Sequence, residues 1–367
     1  MKTIGLQPNY PQFENNRLFE LEHEYSGYWQ LPFAALRSAG RARGYEIKTL
    51  DLCAPGECAA AVLMDLPMNA REIREIKARA PEAKWILHLV ESPLGRPHWF
   101  DSRNHEDFAS IVTYRSDICD GRRYFFCPFP VGVAPQIEVC TPFDRRHLLL
   151  ILNNVSRVGL MANRGHGWQG LPFFGSMFRG YKFDAAALFS QNRGQLLSRR
   201  YSLARTAERM GPDLVHMYGG GWNGEQIGWP NKVFRNPPFA GFKGRQVRQF
   251  EVLPRYRFFL AFENIRSDVG FITQKIFDAM HAGVVPVYLG DERISELVWP
   301  ECFVDARQFR SNRELLMFLH GMREPEWTRM RDAGRRFLLS SSVERFSPAT
   351  FAACLLAAVE GVLNKND

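Results

Sequence analysis

A chain of 367 residues, 46% of them hydrophobic, can bury one large core or two ordinary ones without help from metals or disulfides. Charged residues at 23% and aromatics at 13%, with no heptads, low-complexity tracts or repeats, exclude a coiled coil, a disordered chain, a collagen-like fibre and a solenoid. The 47 Lys and Arg against 39 Asp and Glu leave a net charge of +8, which suits nucleic acid, an anionic lipid surface or a phosphorylated substrate. Nucleic acid is the least supported of these, because no RNP-like aromatic signature or helix-turn-helix pattern is present.

Along the chain, short apolar runs alternate with helical patterns. Strands are expected at 3–6, 45–50, 60–66, 84–90 and 111–114, and a helix at 69–80, which Asn69 can cap and where Ile73, Ile76 and Ala80 share a face. A proline cluster at Pro128, Pro130, Pro135 and Pro142 precedes the apolar run 148–152, so a domain boundary is placed near residue 145. Beyond it come a helix at 198–210, strands at 214–218 and 258–262, a helix at 273–282, and strands at 284–288 and 302–305. Ser347 and Pro348 open a terminal docking helix.

The expected architecture is α/β: two Rossmann-like βα domains with mostly parallel sheets, at 1–145 and 146–345, and a C-terminal docking helix in 346–367. Ligands of such sheets bind at the carboxyl ends of strands, here in a cleft between domains. Two segments break the alternation. The segment 159–195 mixes aromatics with basic residues, and 219–244 is rich in Gly, Pro, Trp and Asn, so both read as long loops.

The seven cysteines are odd in number, scattered, and include no C-x-x-C pair, which points to reduced thiols in a cytoplasmic protein. The start MKTIGLQPNY has no signal-peptide core, and the apolar run 351–359 is too short to span a bilayer.

Chemistry concentrates in 255–309. A buried strand ends at Glu263 and Asn264, and a helix starts near Thr273 with Lys275 in its first turn. Free N–H groups at the helix start, joined by a lysine, favour a phosphate; a solvated lysine is the alternative. Gly283 then closes the helix before VVPVYLG enters the next strand. His88 lies in an apolar strand and reads as a satisfied core histidine, and Gly219–Gly221 could bring backbone close to a nucleotide.

This stretch resembles the signature of the glycosyltransferase family 10 fucosyltransferases. The matching residues are Phe262, Glu263, Asn264, Asp268, Thr273, Lys275, Ile276, Asp278, Ala279, Ala282, Gly283, Val285, Pro286, Val287, Tyr288 and Gly290. VESP at 90–93, TYRSDI at 113–118 and the helix-and-strand run 196–222 are similar to earlier family segments. The resemblance covers 257–309 densely, 84–222 patchily and the first 80 residues not at all.

It implies a GT-B fold, with an acceptor domain first and a nucleotide-sugar domain second. It also implies an enzyme that moves fucose or a related sugar from a donor such as GDP-fucose to a hydroxyl of a cell-surface glycan precursor, lipid-linked or oligosaccharide, as in lipopolysaccharide assembly. The anomeric centre would be inverted in one displacement, with no metal or other cofactor required. Such a reaction needs a base for the acceptor hydroxyl and positive charge for the departing diphosphate.

Glu91, at the end of an apolar strand, is the base candidate. The resemblance offers Arg200 and Lys275 for the diphosphate, with Arg199 and Arg205 near enough in register to replace Arg200. Glu263 and Asn264 could fix ribose or sugar hydroxyls. Phe271 and Gln274 stand where the family has Tyr and Glu, which opens two alternatives: another donor sugar, or a nucleotide- or glycan-binding protein without turnover. The segment 159–195 could serve as an acceptor flap or as a peripheral anchor on the anionic inner face of a membrane. Failing both, the acceptor would be met around 25–29 and 98–100 of the first domain.

Overall fold

A computed structural model describes residues 1–21, 27–67, 69–94, 97–132, 141–154, 194–223, 238–245, 248–266 and 269–364. The expected segment 159–193 and Asp268 lie outside the described residues.

Two six-stranded sheets organise the chain. The first contains β1 (Lys2–Gln7), β2 (Tyr45–Thr49), β3 (Cys58–Met64), β4 (Lys84–Leu89), β5 (Ser110–Thr113) and β6 (Tyr124–Phe126), in the order β2-β1-β3-β4-β5-β6. The second contains β7 (His147–Leu152), β8 (Val215–Tyr218), β9 (Phe242–Gly244), β10 (Tyr256–Phe262), β11 (Val285–Leu289) and β12 (Val304–Asp305), in the order β12-β11-β10-β7-β8-β9. All their pairings are parallel. Helices therefore cover both faces, and the central strands can be apolar on both sides; β10 and β11 are buried throughout or nearly so.

Each order contains one point where the chain reverses direction across the sheet. It lies between β1 and β3 in the first sheet and between β7 and β10 in the second. In open parallel sheets that point leaves a crevice at the carboxyl ends of the two strands, which is where ligands settle.

The helices that flank the sheets are α1 (Leu31–Ala42), α2 (Ala70–Lys77), α3 (Leu197–Met210), α4 (Gln274–His281), α5 (Asn312–Gly321), α6 (Glu324–Leu339) and α7 (Pro348–Leu363). Asn69 caps α2 through Arg71 N, and Ser347 caps α7 through Thr350 N. Helix α7 returns to the first sheet: Phe351 packs on Phe33 with ring centroids 5.2 Å apart, and Lys84 Nζ donates to Val362 O at 3.1 Å. One apolar cluster thus runs from Ile4 and Val62 through Phe351 to Phe277 and Phe337.

Several elements depart from expectation. Helices α1, α5 and α6 and strands β6 and β9 lie outside the expected elements, and β9 falls inside the expected loop 219–244. The short strands β6 and β9 have only three residues each, too few for a periodic signal. Helix α1 begins on Gln30, which makes no side-chain cap bond, so the usual start signal is missing. Helix α5 was readable, since Ser311 accepts from Glu314 N in a Ser-x-x-Glu start.

Candidate functional site

The carboxyl edges of the two sheets face each other. After β5, Tyr114 packs its ring on Phe271, which follows β10, with centroids 5.2 Å apart, and Phe129 packs edge-on to Phe271 at 5.5 Å. Gly270 has φ +83, and a Cβ there would stand 2.3 Å from Tyr114 O, so only glycine lets the second domain's loop lie this close to the first. Its N–H donates to the buried Asp291 Oδ2 at 2.6 Å.

On the second sheet the switch point is built around the end of β10. Glu263 is fully buried, and its carboxylate accepts from Thr273 N at 2.8 Å, from the Thr273 hydroxyl, and from Lys275 Nζ at 2.9 Å. Lys275 Nζ also donates to Thr273 Oγ1 at 2.9 Å. A lysine disfavoured in a helix first turn is thus held there by a buried carboxylate.

Arg200 reaches the same strand end from α3. Its guanidinium donates to Glu263 O at 2.7 Å, to Asn264 Oδ1 at 3.1 Å and to Phe262 O. Burial holds it below the ordinary guanidinium range, at about 10, with Glu263 partly offsetting.

Glu263 and Arg200 are both buried: the Glu263 carboxylate is engaged by Thr273 and Lys275, and Arg200 turns to the carbonyls at the strand end, its Nε without a partner among the described residues. Asn264 is half-buried at the rim, its carbonyl taken by Leu196 N at 2.9 Å. Arg205 stacks on Phe239 at 3.5 Å and pairs with Glu208, away from this end. Arg199 remains: half-buried, without an ion pair among the described residues, and lowered by burial and then by the neighbouring Arg266. Arg266 pairs with Glu292 at 3.4 Å, with both side chains about half exposed.

The two departures from the family pattern are physically explicable. Phe271 is buried in the aromatic contact with Tyr114 and Phe129, where a hydroxyl would need a partner. Gln274 stands in the first turn of α4 with its Oε1 buried and unpartnered among the described residues. Gly219, also expected at the nucleotide, instead makes room for the Asn153 carbonyl, which a Cβ would approach to 2.3 Å.

On the first sheet, Glu91 follows β4 at the carboxyl edge. Its main chain is held on both sides: its N–H donates to Asp65 Oδ1 at 3.2 Å, and its C=O accepts from the Tyr114 hydroxyl at 3.3 Å. Its half-buried carboxylate makes no hydrogen bond or ion pair among the described residues. His88, three residues earlier within β4, is buried with Nδ1 unpartnered among the described residues and is pushed down to about 3 by burial, so it is a neutral core ring. Among the described residues no group of three or more His, Cys, Asp or Glu could hold a metal, and no helix is long and apolar enough to cross a membrane.

Asp65 and Tyr114 were missed as site residues. The readable signal for Asp65 was an acid directly after an apolar strand, at a carboxyl edge; Tyr114 lay in a family-like run but carried no role.

Two parallel-sheet α/β domains meeting at their carboxyl edges define the GT-B class of glycosyltransferase fold. A solved α1,3-fucosyltransferase with GDP aligns over the whole chain and 91% of its own length, at TM-score 0.51 and 13% identity. A solved DNA-modifying β-glucosyltransferase aligns over 98% of this chain and 99% of its own, at TM-score 0.52 and 10% identity. Residues 195–330 match the C-terminal model of glycosyltransferase family 10 (fucosyltransferase). Over 100 residues the chain is 43% identical to Alpha-(1,3)-fucosyltransferase 7 of Mus musculus, covering 26% of this chain and 25% of that protein. The chain thus aligns with about a quarter of that relative's length, and it is residues 195–330 that are similar to glycosyltransferase family 10.

Proposed function

We propose that the protein is an inverting glycosyltransferase that moves fucose, or a related sugar, from a nucleoside diphosphate donor such as GDP-fucose to a glycan hydroxyl. The observation that carries this reading is a carboxylate without a partner among the described residues, Glu91, on one carboxyl edge, opposed to a cationic strand end on the other that lies inside the segment matching family 10. In this reading Glu91 accepts the proton of the acceptor hydroxyl as its oxygen attacks the anomeric carbon. Arg199, Arg266 and Lys275 neutralise the departing diphosphate, with Asn264 and Gln274 at its rim. Side-chain cations supply the charge, so the proposal includes no resident metal or cofactor. GDP is the favoured carrier because a structural neighbour is described with it.

The acceptor is proposed to be an oligosaccharide or lipid-linked precursor of a cell-surface glycan, met in the cytoplasm at the inner face of the membrane, where the net charge of +8 favours anionic lipid. A second reading, a different sugar on the same scaffold, is favoured by Gln274 Oε1, unpartnered among the described residues, which presents an amide where the family has a carboxylate.

Incubation with a panel of GDP- and UDP-linked sugars, following donor hydrolysis and transfer, tests both. Glu91→Gln should lower the rate by about 10²-fold or more while leaving GDP affinity intact. Equal turnover would remove Glu91 as the base, and GDP binding with no turnover of any donor would make the protein a binder.

A further inference from the structure

The first sheet has its own crevice, and its switch point is occupied. Asp65 stands at the carboxyl end of β3, beside Asn9 after β1, and Asn9 Nδ2 donates across the switch point to Asp65 Oδ2 at 3.1 Å. The other carboxylate oxygen accepts from Val90 N at 2.8 Å and Glu91 N at 3.2 Å, while Asp65 N donates to His88 O at 2.8 Å. Asp65 is 2% exposed, has φ 57, and makes no ion pair among the described residues.

The electrostatic setting of this carboxylate does not suit a residue that merely closes a turn. The left-handed conformation is strained for residues other than Gly, although Asn and Asp adopt it most readily, and a buried carboxylate without a cation among the described residues, close to a second carboxylate, is electrostatically unfavourable. Local backbone strain of this kind persists where the surrounding structure enforces it, and it clusters at functional sites.

We propose that Asp65 is a positioning residue for the reaction: it fixes the Glu91 main chain from β3 and holds negative charge beside the Glu91 carboxylate. This rests on the reading of Glu91 as the base. The Tyr114 hydroxyl completes the hold from β5, and the stacking of Tyr114 on Phe271 ties it to the donor-side loop. Asn9 faces Asp65 from β1, and Val90 and Glu91 from β4; Glu91 is the charged group acting on it. Burial, then the charge of Glu91, push the Asp65 carboxyl up to about 7, so its charge changes in the neutral range.

Asp65→Asn tests the assignment, because the amide keeps one oxygen for the two N–H groups and removes the charge. The variant should melt no lower than the parent at pH 8, yet turn over about tenfold more slowly with its donor KM unchanged, and the acid limb of its rate–pH profile should move. A structural residue would show the reverse, a lower melting temperature with kcat unchanged per folded molecule, and that outcome overturns the proposal. Should the amide not be tolerated, Asp65→Gly, which accepts the left-handed backbone, must still lose rate. A cycle of Asp65→Asn, Glu91→Gln and the double variant, read by melting at pH 8 without substrate, separates this claim from the functional one. Coupling between the two sites supports the proposal, and additive shifts overturn it. If the parent turns over no donor, the functional reading fails while the cycle still decides whether the two carboxylates act on each other.

Discussion

Each sheet carries a buried carboxylate at its switch point, and the two are treated in opposite ways. Glu263 on the second sheet is met by an ammonium, a hydroxyl and a backbone N–H, so it joins β10 to the start of α4. Asp65 on the first sheet is met by two backbone N–H groups and one amide, without a cation among the described residues, in a left-handed conformation and near another carboxylate. The first is a balanced support for a binding surface. The second holds electrostatic and backbone strain next to the group that would move a proton. A buried acid alone therefore says little about function, and its partners distinguish the two cases.

The contrast is broken most directly at Glu263. Glu263→Gln leaves Lys275 without its charged partner and weakens the join to α4, and removing one member of a buried pair typically destabilises by about 3–5 kcal/mol. The chemical denaturation midpoint should fall accordingly, and a loss below about 1 kcal/mol would mean that the pair is dispensable.

The pH dependence sharpens it. Asp65 and Asp278 are both wholly buried and both pushed up to about 7, first by burial, with Gln249 and Lys275 acting against the shift at Asp278. A carboxyl raised in the fold binds its proton more tightly folded than unfolded. Its penalty is absent below the unfolded value near 4, grows as the pH rises, and is complete above about 7. Measured against the parent, Asp65→Asn and Asp278→Asn should each gain stability between pH 4 and 8, by at most about 4 kcal/mol, less whatever the substitution loses in hydrogen bonding. A difference that is flat with pH would show that neither acid is strained. If the gain at Asp65 comes with a loss of rate and the gain at Asp278 does not, the first is functional and the second architectural.

Gly270→Ala acts between the two regions. A methyl 2.3 Å from Tyr114 O at φ +83 forces the loops apart, for about 1–3 kcal/mol. Because Tyr114 also holds the Glu91 carbonyl, the rate should fall more than the stability does. A proportionate loss would mean that this contact is only packing.

What the sequence made legible follows from what each feature depends on. The apolar runs of β1, β3, β4, β7, β10 and β11 are local and were readable, as were the caps at Asn69 and Ser347. The dense family motif led to Lys275 and the end of β10. Charged residues in a motif read as ligand contacts, whereas burial decides which face they present, and the local pattern does not encode the inward contacts of Arg200 and Glu263. For Asp65 only the position was readable, an acid directly after an apolar strand: its positive φ and its bonds to residues 9, 90 and 91 are not encoded in the local pattern.

The smallest effect tests the finest part of the comparison, the link between Asn9 and Asp65. Asn9 Nδ2 donates to the carboxylate, while Asn9 Oδ1 is buried with no partner among the described residues. An ionised Asp65 accepts only, whereas a protonated one carries an O–H that can donate, and a turned amide would receive it. Asn9 can therefore serve both protonation states, unlike Lys275, which serves only the ionised form of its partner. On that account Asn9→Ala should remove about 1 kcal/mol at pH 5 and at pH 8 alike, by chemical denaturation. A loss confined to pH 8 would mean that the amide does not turn and that Asn9 stabilises the charged form alone. The acid would then have a partner that serves its charged form alone, as Lys275 does for Glu263, and the difference between the two switch points would narrow to the backbone strain at Asp65.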